Sequence, residues 1–342
     1  MKVALDATYS LGSNLSGVGV YSRELLLHMA AEHPECRFTC CYRPHRFFRS
    51  FRSGLPANCR RFLLQEPLVP RFVEIFHGLN QRLPRIRAGR RRVATFHDLF
   101  VLTADYSTPE FRERFADQAR HAATESDAVI AVSEFTARQV HELLGVERSR
   151  IHVIHHGVRS MPAGVQAREH IVLHVGAIQR RKNIARLVRA FETTSPDWKL
   201  VLAGSLGYGS EAILRQIEDS PSRGRILLSG YVPDAELARW YARASIFAFP
   251  SLDEGFGMPV LEAMAAGLAV LTSDRSALSE VAGQAALLVD PEKQEEVTEG
   301  LLRLTSQDGL RNDFIERGLK RAAQFTWQEA VRRTWKVYES LV

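Results

Sequence analysis

Cysteine is scarce in this 342-residue chain: Cys36, Cys40, Cys41 and Cys59 are the full set. Their spacing fits neither a zinc-ligand pattern nor a disulfide framework, so reduced structural thiols are expected. No apolar run approaches the ~20 residues of a spanning helix, and the opening MKVALDATYS is too short and too polar for a secretory signal. A soluble, cytoplasmic protein is the expectation. No Asp-x-Asp pair is present to hold a cation, and Ser22 interrupts the dinucleotide Gly-x-Gly-x-x-Gly pattern after Gly17 and Gly19, which argues against a dehydrogenase. Acidic residues are nearly missing from 37–92, where 14 Lys and Arg face 2 Asp and Glu, a net charge of +12. The whole chain carries only +6.

What is present is ordinary in amount and ordered in pattern. Hydrophobic residues make up 45% and charged residues 25%, typical of globular proteins, and the length points to two domains. Short apolar runs ending in small or polar residues read as buried strands: KVALDA, RVATFHDL (92–99), AVIAVS (128–133), IHVIHHGV (151–158), HIVLHVGA (170–177), WKLVLAGS (198–205), RILLSGYV (225–232), SIFAFPS (245–251) and LAVLTS (268–273). Helical stretches of ~10–15 residues separate them, which predicts βαβ units and parallel sheets. HHGVRSMPAGVQAREH (155–170) reads as the linker. In such sheets ligands bind beyond the carboxyl ends of the strands.

The segment SLDEGFGMPVLEAMAAG (251–267) carries the densest chemistry. Gly255 and Gly257, around Phe256, allow a tight turn and close approach of backbone to a ligand. Met258 and Pro259 open a helix whose free N–H groups suit a diphosphate. Glu254 and Glu262 flank the turn with seven residues between them. A carboxylate there makes sense if it accepts hydrogen bonds from sugar hydroxyls, Glu262 from the ribose and Glu254 from the far end of the ligand.

This segment resembles the signature of glycosyltransferase family 4, the retaining GT-B enzymes, in which two glutamates with seven residues between them enclose a Gly-Phe-Gly turn. LSGVGVYSREL (15–25), TFHDL (95–99), VIAVSEFTARQV, VIHHGV, VGAIQRRKN (175–183) and LLSGYVPDAEL resemble further family segments in the family's order. The resemblance implies an α/β GT-B fold, with two doubly wound Rossmann-like domains facing an interdomain cleft. It implies an acceptor-side domain at 1–158, with the C-terminal helix 326–342 packing back on it, and a nucleotide-sugar-binding domain at 159–325. Arg181 and Lys182 are implied to neutralise the donor diphosphate, Gly17 and Gly176 to approach the phosphates by backbone, and the backbone of Tyr231 and Val232 to face the base. Glu254 is implied to bind the transferred sugar, and His97 to sit near the reacting centre. Ala177 stands where some members carry an arginine, which leaves more of the phosphate role to Arg181 and Lys182. The family needs no metal and no cofactor.

The expected activity is transfer of a hexose, with retention, from a nucleoside diphosphate sugar to a glycan or lipid-linked acceptor. GDP-mannose is the first expectation for the donor, with UDP-sugars and dTDP-rhamnose left open. An epimerase of GT-B shape and a non-catalytic nucleotide-sugar or membrane-binding protein are the alternatives. Phe47, Phe48 and Phe51 interleave with Arg43, Arg46, Arg49 and Arg52, as in an element that docks on an anionic membrane. A peripheral position at the inner membrane face follows as an expectation; no nucleic-acid module is visible. A further possibility is that several of these arginines pack against the C-terminal helix near Trp327 and Trp335.

Overall fold

The computed structural model describes residues 1–12, 15–159 and 168–342. It divides into two compact units, Met1–Gly157 with Thr326–Val342, and Val158–Phe325. The division falls one residue before the expected boundary, and the middle of the expected 155–170 linker lies outside the described residues.

The first unit is built on seven parallel strands: β1 (Lys2–Asp6), β2 (Arg37–Tyr42), β3 (Cys59–Leu63), β4 (Ile75–Gly78), β5 (Arg91–Phe96), β6 (Ala128–Ala131) and β7 (Ile151–Val153). Their order is β3-β2-β1-β4-β5-β6-β7. The central runs, such as VALD of β1 and AVIA of β6, are buried throughout, as a parallel sheet covered on both faces requires. The helix Trp327–Leu341 belongs to this unit. It is anchored by Tyr338, whose hydroxyl pairs with His77 Nδ1 at 2.6 Å, and by Trp335 stacked on His33 with centroids 3.6 Å apart. These tryptophans meet His33, Tyr21 and His156; of the arginines of 37–92, Arg91 reaches the end of the helix, where its Nε donates to the Leu341 carbonyl at 3.1 Å.

That arginine-rich stretch is more structured than its composition implies. It contributes β2, β3 and β4 to the sheet, none of which was among the expected strands. Several of its charges have partners: Arg43 with Asp6 at 3.1 Å, Arg91 with Asp127 at 3.0 Å, Arg85 with Asp117, and buried Arg92 with Glu125. Arg61 donates to the carbonyls of Ser50 and Ser53. The short helix Pro44–Ser50 after β2 carries Phe47 and Phe48, with Phe51 at its C-cap. Phe48 is 81% and Phe51 61% exposed.

The second unit holds β8 (Ile171–Val175), β9 (Lys199–Ala203), β10 (Ile226–Gly230), β11 (Ile246–Phe249), β12 (Ala269–Ser273) and β13 (Leu287–Val289), in the order β10-β9-β8-β11-β12-β13. The order reverses between β8 and β11, the switch point where ligands of doubly wound sheets bind. Its floor is tightly built. A Cβ on Gly204 would lie 1.9 Å from the Gly176 carbonyl oxygen. Gly204→Ala is therefore expected to cost this unit about 3 kcal/mol or more. Urea unfolding would read this as a lower midpoint for peptides of 158–325; an unchanged midpoint would show that the loop yields freely.

Candidate active site

The ends of β8 and β11 bring the expected charged residues together. After β8, Gly176 adopts φ 150°, and the chain turns through Arg180–Lys182 into the helix Ile184–Glu192. Asn183 makes this turn in the left-handed region at φ 58°. Its amide donates to the Pro250 and Pro291 carbonyls at 3.0 and 2.7 Å, which fixes the turn against the end of β11. This Asn183 clamp was not foreseen, although a polar residue that tolerates left-handed backbone after RRK is a readable sign.

Across from it, Glu254 is buried between two cations. Lys182 Nζ lies 2.5 Å from its Oε1 and Arg181 Nη1 2.9 Å from its Oε2. Arg181 also donates to the Asp253 carbonyl. Burial alone would raise the Glu254 carboxyl, but the Arg181 guanidinium and Lys182 ammonium outweigh it and hold it at about 2. The triad thus carries two positive groups and one negative group. Below it, His174 Nδ1–H donates to the Ala248 carbonyl at 2.9 Å and its ring stacks on Phe249.

Gly255, Phe256 and Gly257 follow, all buried. Gly257 caps the helix Met258–Ala265 at φ 99°. A side chain there would also meet Leu278 Cδ2 at 2.5 Å. Met258 is the first helical residue and half-buried. Glu262 is the fifth residue of this helix, just beyond its first turn. Both its oxygens have protein donors: Oε1 accepts from Arg159 Nη2 at 2.8 Å and Nε at 3.1 Å, and Oε2 from the Tyr241 hydroxyl at 3.2 Å. Arg159 also reaches Asp234 at 3.2 Å. Burial, with the Glu262 carboxylate beside it, pushes the Tyr241 phenol well above its usual value. Arg159 lies 103 residues from Glu262 in sequence, too far for any local pattern to reveal. Tyr231 and Val232 follow β10, the first exposed and the second buried.

In the first unit, Gly17 begins the helix Gly17–Glu32, exposed, with Ser16 as N-cap accepting from Gly19 N–H at 3.3 Å. His97 follows β5, and its Nε2–H donates to the Leu79 carbonyl at 2.9 Å. Burial lowers its imidazole to about 4. His156, read from sequence as a linker residue, stacks on His97 with centroids 5.4 Å apart, and Tyr21 meets both at 4.8 Å. Among the described residues no group of three His, Cys, Asp or Glu is placed to hold a metal ion.

Two doubly wound parallel sheets, with a buried acid and two cations at the switch point of the second, fit the GT-B fold class. The profile described as Glycosyltransferase Family 4 matches residues 15–160, and that described as Glycosyl transferases group 1 matches 162–321. The chain belongs to this family, the group 1 glycosyltransferases. It is 30% identical to the O-antigen chain mannosyltransferase B of Escherichia coli, over 78% of this chain and 74% of that one. It is 26% identical to the serotype-specific mannosyltransferase WbdA of Escherichia coli over 69% of this chain, and spans only 32% of that protein. Sucrose-phosphate synthase from Thermosynechococcus elongatus shares the fold with a TM-score of 0.80 at 21% identity, covering 99% of this chain and 98% of that one.

Proposed function

We propose that the protein transfers a hexose, mannose first among the candidates, from a nucleoside diphosphate sugar to a hydroxyl of a glycan acceptor, with retention at the anomeric carbon. The observation that carries this reading is the buried Lys182–Glu254–Arg181 triad at the β8/β11 switch point. Its surplus positive charge suits an incoming diphosphate. On donor binding the two cations take the phosphate oxygens, and Glu254 is released to accept hydrogen bonds from the sugar. The same cations stabilise the charge that develops as the diphosphate leaves, and the leaving oxygen accepts the acceptor's proton. Glu262 holds the ribose once Arg159 shares or yields its carboxylate. The backbone of Tyr231 and Val232 faces the base, and Gly176 with the 255–257 turn keeps backbone close to the phosphates. The roles of Gly17 and His97 rest on the family likeness. Mannose is favoured because the relatives above are named mannosyltransferases, and GDP is the base expected with it.

The test is turnover of GDP-mannose, UDP-glucose and dTDP-rhamnose with and without a mannan acceptor, the product anomer being read by proton NMR. Acceptor-dependent transfer giving the donor's own anomeric configuration is expected. An inverted anomer, or release of an altered free sugar without acceptor, would overturn it. In the same assay Glu254→Gln should chiefly lower kcat, and Glu262→Gln should chiefly weaken nucleoside diphosphate affinity. An affinity within twofold of wild type in Glu262→Gln would remove the ribose role.

The acceptor's setting enters the same proposal. No described helix is long and apolar enough to cross a membrane. The Pro44–Ser50 helix instead exposes Phe48 with Phe51 just beyond it, each in a T-shaped contact with Phe47, with centroids 5.7 and 5.4 Å apart. Arg46, Arg49 and Arg52 around them make no ion pair among the described residues. Each cation near an anionic surface contributes about 1 kcal/mol, so this element supports peripheral docking near a lipid-linked acceptor. Co-sedimentation with vesicles containing phosphatidylglycerol should exceed that with phosphatidylcholine alone. It should fall with salt and be lost in a variant replacing Phe48, Phe51, Arg46, Arg49 and Arg52. Equal sedimentation with both vesicles would leave a soluble acceptor.

A further inference from the structure

The first unit has a cavity of about 590 Å³ whose lining includes none of the residues assigned to transfer above. It lies at the free edge of the sheet. One wall is β7, another the start of the helix Glu134–Leu144, and the third the terminal helix Trp327–Leu341. Arg148 enters it from the turn before β7, and Arg333 and Lys336 from one face of the terminal helix. None of these three side chains makes an ion pair among the described residues. Glu329, one turn away, feels both Arg333 and Lys336 but is already held by Arg332 at 2.7 Å. Glu134 is the one carboxylate in the lining.

The rest of the wall is mixed. Ile151, Val153 and Val337 give it an apolar floor, and His152 a half-buried ring. The strand contributes as well. Ile154 N–H turns inward to the Ala131 carbonyl at 2.9 Å. By the alternation of a parallel ladder, Val153 then turns its N–H outward to the open edge. The cavity therefore offers three cations and a backbone donor above an apolar floor, at a volume typical of small-ligand sites.

We propose that this cavity is a second anion site, which binds a phosphate monoester with an apolar or sugar body. The phosphate lies among Arg148, Arg333 and Lys336, and the body lies over Ile151, Val153 and Val337. An acidic peptide added to the sheet edge fits less well, because β7 offers only three residues. The site is distinct from the Arg181–Lys182 triad, which belongs to the other unit.

Two probes separate the sources of such a phosphate: glucose 6-phosphate for a soluble ester and geranyl phosphate for a lipid ester. The readout is the His152 imidazole carbon resonance in histidine-labelled protein, assigned with His152→Gln, so that phosphate bound at Arg181 is not counted. At least one probe should shift this resonance saturably, and added salt should weaken its binding. Arg333→Glu/Lys336→Glu, both exposed helix positions, should weaken it roughly tenfold or more while basal glycosyl transfer stays unchanged. Arg148→Ala provides a milder second variant and should weaken it in the same direction. The tighter of the two probes identifies the source. No saturable shift with either probe, or equal affinity in wild type and both variants, would overturn the site. A response only to an acidic peptide would overturn it too.

Discussion

Lys182→Ala lowers turnover of the nucleoside diphosphate sugar about 100-fold and leaves the second unit folded. Removing one preorganised charge beside a departing phosphate costs about 3 kcal/mol, or ~10² in rate. The fold survives because of how the triad is composed. Without Lys182, Glu254 keeps Arg181 at 2.9 Å, and one cation faces one anion. Glu254→Ala has the opposite profile. It leaves Arg181 and Lys182, each less than a tenth exposed, without their shared carboxylate. Breaking a buried ion pair in this way costs roughly 3–5 kcal/mol. The two variants thus separate chemistry from stability: steady-state kinetics detects the first, and urea unfolding detects the second. Wild-type turnover in Lys182→Ala at subsaturating donor would remove the lysine from the transfer step. An unaltered unfolding midpoint in Glu254→Ala would show that the carboxylate is not needed to hold the cations.

Mild acid is expected to unfold the first unit before the second. Burial, first among the causes, drives the imidazole of His77 down to about 3 and of His97 to about 4, and that of His156 well below its usual value. His174, at about 4, is the corresponding residue of the second unit. A histidine with a lowered folded pKa stays neutral in the native state while its unfolded counterpart protonates near 6.5. The unfolded state then binds more protons, so stability falls as pH drops below 6.5 and continues to fall until the folded pKa is reached. At pH 5 each such group removes about 2 kcal/mol, and three together remove about 6 kcal/mol. That is comparable with the whole stability of a domain. Glu254 does not add to this loss at pH 5, because its stabilisation is present above the unfolded carboxylate value and fades only as pH falls toward about 2. Urea titrations at pH 7.5 and 5, followed by hydrogen exchange of peptides from each unit, test the difference. The midpoint for 1–157 should fall about three times as far as that for 158–325. Equal losses would mean that the buried imidazoles already carry charge, or that other groups dominate.

The parts of the site that could be read from sequence are those whose chemistry depends on contiguous residues. A close backbone turn needs Gly255 and Gly257, and two carboxylates spaced around it are visible in a single line of text. Arg181 and Lys182 were legible for the same reason. Residues brought together by topology were not. Arg159 reaches Glu262 across 103 positions, and His156 meets His97 only because both follow neighbouring parts of one sheet. The strands β2 and β3 were hidden by their arginines, and β4, IFHG, by a length of only four residues. RFTCCY and CRRFL carry charges at the rim and on an edge strand, while Phe38, Cys40, Cys41 and Tyr42 are buried. The charge total overstated the free basic surface, because Arg43, Arg61, Arg91 and Arg92 are committed to internal partners.

A crystal structure with bound GDP, and with UDP for comparison, tests the central assignment most directly. The account predicts diphosphate oxygens within hydrogen-bond reach of Arg181 and Lys182, a Glu254 carboxylate no longer on Lys182, and a ribose on Glu262. A nucleotide bound away from both cations, with the Lys182–Glu254 contact of 2.5 Å intact, would contradict it.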